Sequence, residues 1–142
     1  MSIATNKEVL VPEKLRVKAF ELGDVFNIYN YLKLNGDFFN YSAYTNRALK
    51  TDKIESLGLK SLDRVLDTGV SNCLDINILF YLMLKEINIK SRIWYGTVKL
   101  ADNKEYDHVW VTIDDEVWDL TCRTGRNYEK TKELSVMINY AY

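Results

Sequence analysis

The protein is a chain of 142 residues, of which 47% are hydrophobic, 13% aromatic and 27% charged. This length and composition suit one globular domain over 1–142 with a sizeable core, and they argue against intrinsic disorder. The formal net charge is −1 and the chain has no long basic run, so we expect no nucleic-acid partner and no membrane-surface partner.

The N-terminal residues lack a basic segment followed by an apolar run, so we expect no signal peptide. The longest apolar run, 74–84, is too short to span a bilayer and is interrupted by Asp75 and Asn77. Two cysteines in a chain without an export signal favour reduced thiols over a disulfide. A cytoplasmic location is therefore expected, and the oligomeric state is left open.

The first part of the chain, about 12–68, is predicted to be helical. We expect residues 1–11 to form a loose arm and Pro12 to take the first helical position, where its missing N–H is not needed. Gly23 weakens the middle of the following apolar run and can split it, and Gly36 can cap its end. The apolar positions at helical spacing are Leu15, Ala19, Leu22, Val25, Phe26, Ile28, Tyr29 and Leu32.

Aromatic residues and two short helices are expected before residue 69. Asp52 and Glu55 have the spacing of a capping box, and Ser61 can cap a second short helix over 62–67.

A group of aromatic residues lies between 38 and 44. This group can pack a loop onto the core or line one wall of a substrate cleft, and both interpretations stay open. Its members are Phe38, Phe39, Tyr41 and Tyr44.

The stretch around Cys73 carries most of the functional signal. A polar loop that begins at Gly69 leads into an apolar helix over about 72–87, and Cys73 lies in the first turn of that helix. The exposed N–H groups and the dipole at a helix start favour a thiolate, whereas the nearby carboxylate of Asp75 opposes one. The alternative is that Cys73 is a small buried residue of a central helix that is apolar on nearly all sides.

Strands are predicted after the helix, at 92–100, 108–113 and 116–121, with a period-two tail over 134–142 that can add another. If the turn at Asp114 and Asp115 closes a hairpin with Ile113 opposite Glu116, then Trp110 opposes Asp119. His108 and Asp119 then share one face and lie diagonally, within side-chain reach. A slip of one residue puts them on opposite faces.

A thiol nucleophile needs a base, and the base needs an orienting group, so Cys73, the single histidine His108, and Asp119 form a candidate catalytic set. The alternative for each of these residues is an ordinary packing or surface role without any part in catalysis. A zinc site made of Cys73, His108, Asp119 and Cys122 is a further alternative, although no closely spaced cysteine pair supports it.

These segments resemble the transglutaminase-like superfamily, whose members have a papain-like fold. The resemblance rests on the glycine and Cys-Leu-Asp at the helix start, on His108-Val109-Trp110-Val111, and on Trp118-Asp119-Leu120-Thr121. It covers about 62–121, with a catalytic core at about 69–121. The sequence departs from the family pattern at Asn88 (usually glycine), at Val109 (usually alanine) and at Leu120 (usually proline), and its loop before Cys73 is longer.

The resemblance implies an α+β fold with N-terminal helices and a central cysteine-bearing helix packed on an antiparallel sheet. It also implies a Cys–His–Asp thiol enzyme without a cofactor, acting on amide bonds of a peptide or protein, by hydrolysis or by transfer to an amine. The small leader peptidases of lasso-peptide biosynthesis, in the same superfamily, look similar. Candidates for oxyanion or substrate contacts are Asn72, Tyr41, Tyr44 and Trp110. The rival hypothesis is a catalytically inactive relative that serves as a protein-binding module.

Overall fold

The computed structural model of the protein describes residues 6–35, 62, 65–66, 73–99, 103–120 and 127–141, with backbone only at 6, 7, 35, 73 and 106. Within these ranges, helices α1 (Glu13–Leu22), α2 (Val25–Asn35) and α3 (Cys73–Glu86) pack with six strands. The predicted α+β class, with a cysteine-bearing helix on an antiparallel sheet, is confirmed. The two short helices predicted near 52–57 and 62–67 lie wholly or largely outside the described residues.

The expectation of a loose arm at 1–11 is wrong for its second half. Strand β1 (Asn6–Val11) pairs in parallel with β6 (Ser135–Tyr140), with Val9 opposite Ile138. Val9 and Val11 are buried whereas Leu10 is exposed, which is the period-two alternation of a strand with one covered face. The partner strand lies at the far end of the sequence, so no local signal announces this pairing.

Helices α1 and α2 are separated at Gly23, as its position in the apolar run predicts. Gly23 has φ 79°, and its N–H donates to the Ala19 carbonyl, which is a left-handed cap. Asp24 precedes α2, and its carboxylate caps the start of that helix by accepting a hydrogen bond from the Asn27 backbone N–H. Pro12 precedes the first helical residue instead of occupying that position. Phe26, expected on the apolar face, is 66% exposed.

Helix α3 is the buried centre of the molecule, as its nearly continuous apolar sequence predicts. Its buried apolar side chains are Leu74, Ile76, Ile78, Leu79, Phe80, Leu82, Met83 and Leu84. The helix ends at Glu86. Two residues later, Asn88 has φ 62° and donates to the Lys85 carbonyl, while Ile89 donates to the Leu84 carbonyl. This left-handed cap favours glycine, and asparagine tolerates it better than most residues. The departure from the family pattern at Asn88 therefore keeps the required backbone conformation.

The larger sheet has the order β4-β3-β2-β5, with every neighbouring pair antiparallel. Its strands are β2 (Arg92–Lys99), β3 (Glu105–Ile113), β4 (Glu116–Trp118) and β5 (Asn127–Glu133). The hairpin between β3 and β4 has the expected register, with Ile113 opposite Glu116. Asp114 and Asp115 both have positive φ, as the tight turn of a two-residue hairpin requires.

The strand boundaries differ from prediction in two respects. β4 ends at Trp118, earlier than predicted, and β3 begins three residues early, at Glu105. β5 was not predicted, because its sequence is polar and it is an edge strand with mostly exposed side chains. Among the described residues, no helix combines the length and the apolar character needed to cross a membrane.

Candidate active site

The imidazole of His108 and the carboxylate of Asp119 form a buried pair. His108 lies on β3 and Asp119 directly follows β4, and Nε2 lies 2.8 Å from Oδ2. The two side chains are only 2% and 3% exposed. An ionised carboxylate only accepts hydrogen bonds, so Nε2 carries the proton of the neutral ring and the basic lone pair is on Nδ1. The imidazole can therefore exchange a proton through Nδ1 while Asp119 holds its orientation.

Two tyrosines that the sequence did not single out for the site also hold Asp119. The Tyr128 hydroxyl donates to Asp119 Oδ2 at 2.9 Å, and the Tyr29 hydroxyl donates to the Asp119 main-chain carbonyl at 3.2 Å. Tyr29 was predicted only as a member of a helical apolar face. Tyr128 belongs to β5, for which the sequence offered no clear strand pattern. Only the tertiary structure brings these hydroxyls to one residue.

Helix α3 starts at Cys73, and a buried side chain ties its first turns to the strand that carries His108. Asn77 Nδ2 donates to the Val109 carbonyl at 3.0 Å, and Asn77 is fully buried. Positions 73 and 77 are one turn apart on the same side of the helix. Because Val109 follows His108, this contact brings the start of α3 toward the imidazole.

The remaining catalytic and oxyanion candidates fall outside what the structure describes. The side chain of Cys73 is one, and Asn72, Tyr41 and Tyr44 are others, so their roles stay predictions. Asp75 is described and is completely buried in the first turn of α3. The positive end of the helix favours its carboxylate and a thiolate at Cys73 alike, and the two anions would oppose each other.

Trp110 packs beside the rings of His108 and Tyr128. It is fully buried, and its ring stacks near the His108 ring at a centroid distance of 6.3 Å and meets Tyr128 edge-on at 5.0 Å. The indole passes over Gly96, where an added Cβ would lie 2.7 Å from it. These contacts give Trp110 a packing role, and its predicted contact with substrate stays a prediction.

A metal centre was the other chemistry that the sequence allowed. Within the described part of the chain, no three His, Cys, Asp or Glu residues are grouped as metal ligands. The zinc alternative, however, uses Cys122 and the Cys73 sulfur, which lie outside that part. In the structure, the described members of that set, His108 and Asp119, contact each other directly through Nε2 and Oδ2.

Comparison with a solved structure agrees with the fold described above. No curated protein matches the chain. Among solved structures, a protein from Cytophaga hutchinsonii named as a "putative cysteine protease" aligns with a TM-score of 0.51 and 16% identity. The alignment covers 80% of this chain but 38% of that one, so the protein spans well under half of its neighbour's length. At this identity the likeness shows a shared fold.

The family comparison reaches further along the sequence. The model of the transglutaminase-like superfamily matches residues 15–121, which is well over half of the chain and includes Cys73, His108 and Asp119. The match supports a thiol-dependent activity in general terms. On this evidence, the protein belongs to the transglutaminase-like superfamily.

Proposed function

We propose that the protein is a cysteine-dependent enzyme that cleaves amide bonds of a peptide or protein. The acyl group is held on Cys73 as a thioester and is then passed to water or to an amine. The observation that carries the proposal is the buried His108–Asp119 contact of 2.8 Å on the strand to which α3 is tied. A base that is buried, oriented and close to the start of a cysteine-bearing helix is the arrangement that thiol catalysis needs.

In the first half-reaction, His108 Nδ1 takes the proton of the Cys73 thiol, and the sulfur attacks the amide carbonyl carbon. The C–N bond then breaks, the imidazolium returns the proton to the leaving nitrogen, and an amine departs. The acyl group is now held on Cys73 as a thioester. Asp119 stabilises the imidazolium and keeps its ring orientation throughout.

In the second half-reaction, water or an amine gives a proton to His108 and attacks the thioester carbonyl. The C–S bond breaks, and the thiolate of Cys73 recovers the proton from the imidazolium. With water the product is a carboxylic acid, and with an amine it is a new amide.

Site-resolved alkylation tests this proposal without a known substrate. The protein is treated with iodoacetamide from pH 5 to 9, and the rates at Cys73 and Cys122 are measured by mass spectrometry. We expect Cys73 to react faster at pH 6–7, with a midpoint well below the ordinary thiol pKa of about 8.5. The Cys122→Ser variant, which retains Cys73, serves as a control for the assignment.

Equal and slow labelling of both cysteines would contradict the proposal and favour the protein-binding module. Bound zinc in stoichiometric amount, with loss of structure on chelation, would instead favour the metal site. If Cys73 is activated, a peptide library analysed with and without an added amine distinguishes hydrolysis from transfer by the mass of the product.

A further inference from the structure

One carboxylate oxygen of Asp119 accepts two hydrogen bonds from side chains. His108 Nε2 lies 2.8 Å from Oδ2, and the Tyr128 hydroxyl lies 2.9 Å from the same atom. The function proposed above uses the first contact and gives no role to the second. Because both donors converge on one oxygen, a change at the tyrosine hydroxyl acts directly on the atom that holds the imidazole.

The hydroxyl of Tyr128 is itself held in place by packing. Tyr128 lies on β5 opposite Val98, and its ring meets Trp110 edge-on at 5.0 Å with an interplanar angle of 63°. Trp110 is fully buried and stacks near His108 with an interplanar angle of 23°. The three rings form a packed series, so the hydroxyl approaches Asp119 from a defined direction.

Two charged side chains, Lys130 and Asp75, also belong to elements that neighbour His108. Lys130 lies in the same row of the sheet with Gly96 between it and His108, and its Nζ lies over the Trp94 ring at 4.3 Å. Asp75 belongs to the first turn of α3, which begins at Cys73. Among these groups, Tyr128 is the neutral donor that contacts the Asp119 carboxylate itself.

A phenol is well suited to this contact. Its hydroxyl donates a hydrogen bond to a carboxylate oxygen, and a hydrogen bond of this kind favours the ionised form of a carboxylate. A hydrogen bond to the carboxylate also spreads its negative charge, so that less of it acts on the imidazolium. The tyrosine therefore fixes the position of the carboxylate and limits how strongly His108 holds its proton.

We propose that Tyr128 is a positioning residue, which sets the orientation and the proton affinity of His108 through the shared oxygen of Asp119. The proposal rests on the function proposed above, since it concerns the base of that reaction. It assigns to the edge strand β5 a part in the chemistry that the Cys–His–Asp set alone does not include.

The test uses Tyr128→Phe, which keeps the ring and its packing on Trp110 and removes only the hydroxyl. The matched control is Tyr29→Phe, which removes a hydroxyl from the main-chain carbonyl of Asp119 and leaves the carboxylate contacts unchanged. Because the chain has one histidine, nitrogen-detected NMR follows the His108 imidazole without ambiguity. The measured quantities are its titration midpoint and the exchange of its Nε2 proton with water.

We expect Tyr128→Phe to raise the titration midpoint of His108 by about half to one pH unit and to speed exchange of the Nε2 proton. Tyr29→Phe should leave both close to wild type. No change in Tyr128→Phe, or an equal change in both variants, would overturn the proposal. If Tyr128→Phe does not fold, site-specific 3-fluorotyrosine at 128, a stronger donor of similar shape, should lower the midpoint, and an unchanged midpoint would overturn it.

The two proposals fail in distinguishable ways. Alkylation of Cys73 in the wild-type protein tests whether the thiol is activated, and it does not depend on Tyr128. The NMR titration tests whether Tyr128 acts on the imidazole, and it requires no turnover. A shifted midpoint also separates a positioning role from a purely structural one, because lost stability alone does not move it in the folded protein.

Discussion

His108 Nε2 and Asp119 Oδ2 are 2.8 Å apart, and the hairpin register that places them together has Val111 opposite Trp118. Continued by one residue, this register places Asp119 opposite Trp110. Trp110 is two residues from His108 on the same strand, so His108 and Asp119 lie on the same face of the sheet. A register shifted by one residue would put the two side chains on opposite faces of the sheet. The two-residue turn at Asp114 and Asp115, with positive φ at both, therefore helps determine the site.

Removing the reacting groups should abolish turnover. On an identified amide substrate, we expect Cys73→Ser and His108→Ala each to lower kcat by about 10⁴-fold or more. Asp119→Ala should cost about tenfold less, because it removes orientation and not a bond-making group. Circular dichroism and thermal unfolding check that each variant folds. Full activity in either of the first two variants would show that the mechanism is wrong.

Asn77 should couple the stability of the protein to the reactivity of Cys73. Asn77→Ala removes the donor to the buried Val109 carbonyl, and we expect it to lower the free energy of unfolding by about 1–3 kcal/mol. The start of α3 is then less firmly tied to the His108 strand, so alkylation of Cys73 at pH 7 should slow. Urea unfolding and iodoacetamide kinetics measure the two effects. A destabilised variant with unchanged alkylation would separate Asn77 from the site.

Two glycines should respond to alanine for different reasons. At Gly96 an added Cβ would collide with the Glu129 carbonyl and lie 2.7 Å from the Trp110 indole, so we expect a loss of about 2–3 kcal/mol and a shifted His108 imidazole resonance. At Gly23 there is space but φ is 79°, so alanine should cost about 1 kcal/mol and leave the imidazole unchanged. Urea unfolding and NMR test this contrast, which would fail if Gly96→Ala were neutral.

Strand β1 offers a matched pair of neighbours on opposite faces. Val9 is 3% exposed and Leu10 is 62% exposed, so an aspartate buries an unpaired charge only at the first position. We expect Val9→Asp to cost more than about 3 kcal/mol, and Leu10→Asp to stay within about 0.5 kcal/mol of wild type. Denaturant unfolding distinguishes them. Equal effects would mean that β1 does not pack as a strand with one covered face.

Stability should decline at alkaline pH partly through Tyr81. Burial, with a smaller contribution from nearby Glu133, raises the pKa of the Tyr81 hydroxyl, so the folded state binds this proton more tightly than the unfolded state. The resulting stability is complete below the unfolded pKa of about 10 and is lost as pH rises through the folded value. The hydrogen bond to Glu21 raises the pKa of Lys18, which acts in the same direction.

The Tyr81→Phe variant isolates this contribution. The free energy of unfolding in urea, measured from pH 8 to 11, should fall less steeply with pH in the variant than in wild type. Lys18 is unchanged in both proteins, so its contribution cancels in the comparison. Parallel curves for the two proteins would remove Tyr81 from the alkaline transition.

Local patterns in the sequence determined much of the fold. The apolar run of α3, the break at Gly23 and the Asp114-Asp115 turn depend on neighbours within one element, and the structure has all three. The hairpin register follows from that turn, and for this reason the sequence predicts that His108 and Asp119 lie on one face of the sheet. The period of each element is a short-range property, and the sequence carries it directly.

Only the tertiary structure decided the long-range partners. β1 pairs with β6 from the other end of the chain, and the polar edge strand β5 has no periodic apolar signal of its own. Tyr29 and Tyr128 meet at Asp119 because a helix and an edge strand pack around one sheet end. A hydroxyl's partner depends on where distant segments lie in space, and spacing along the chain does not encode that position.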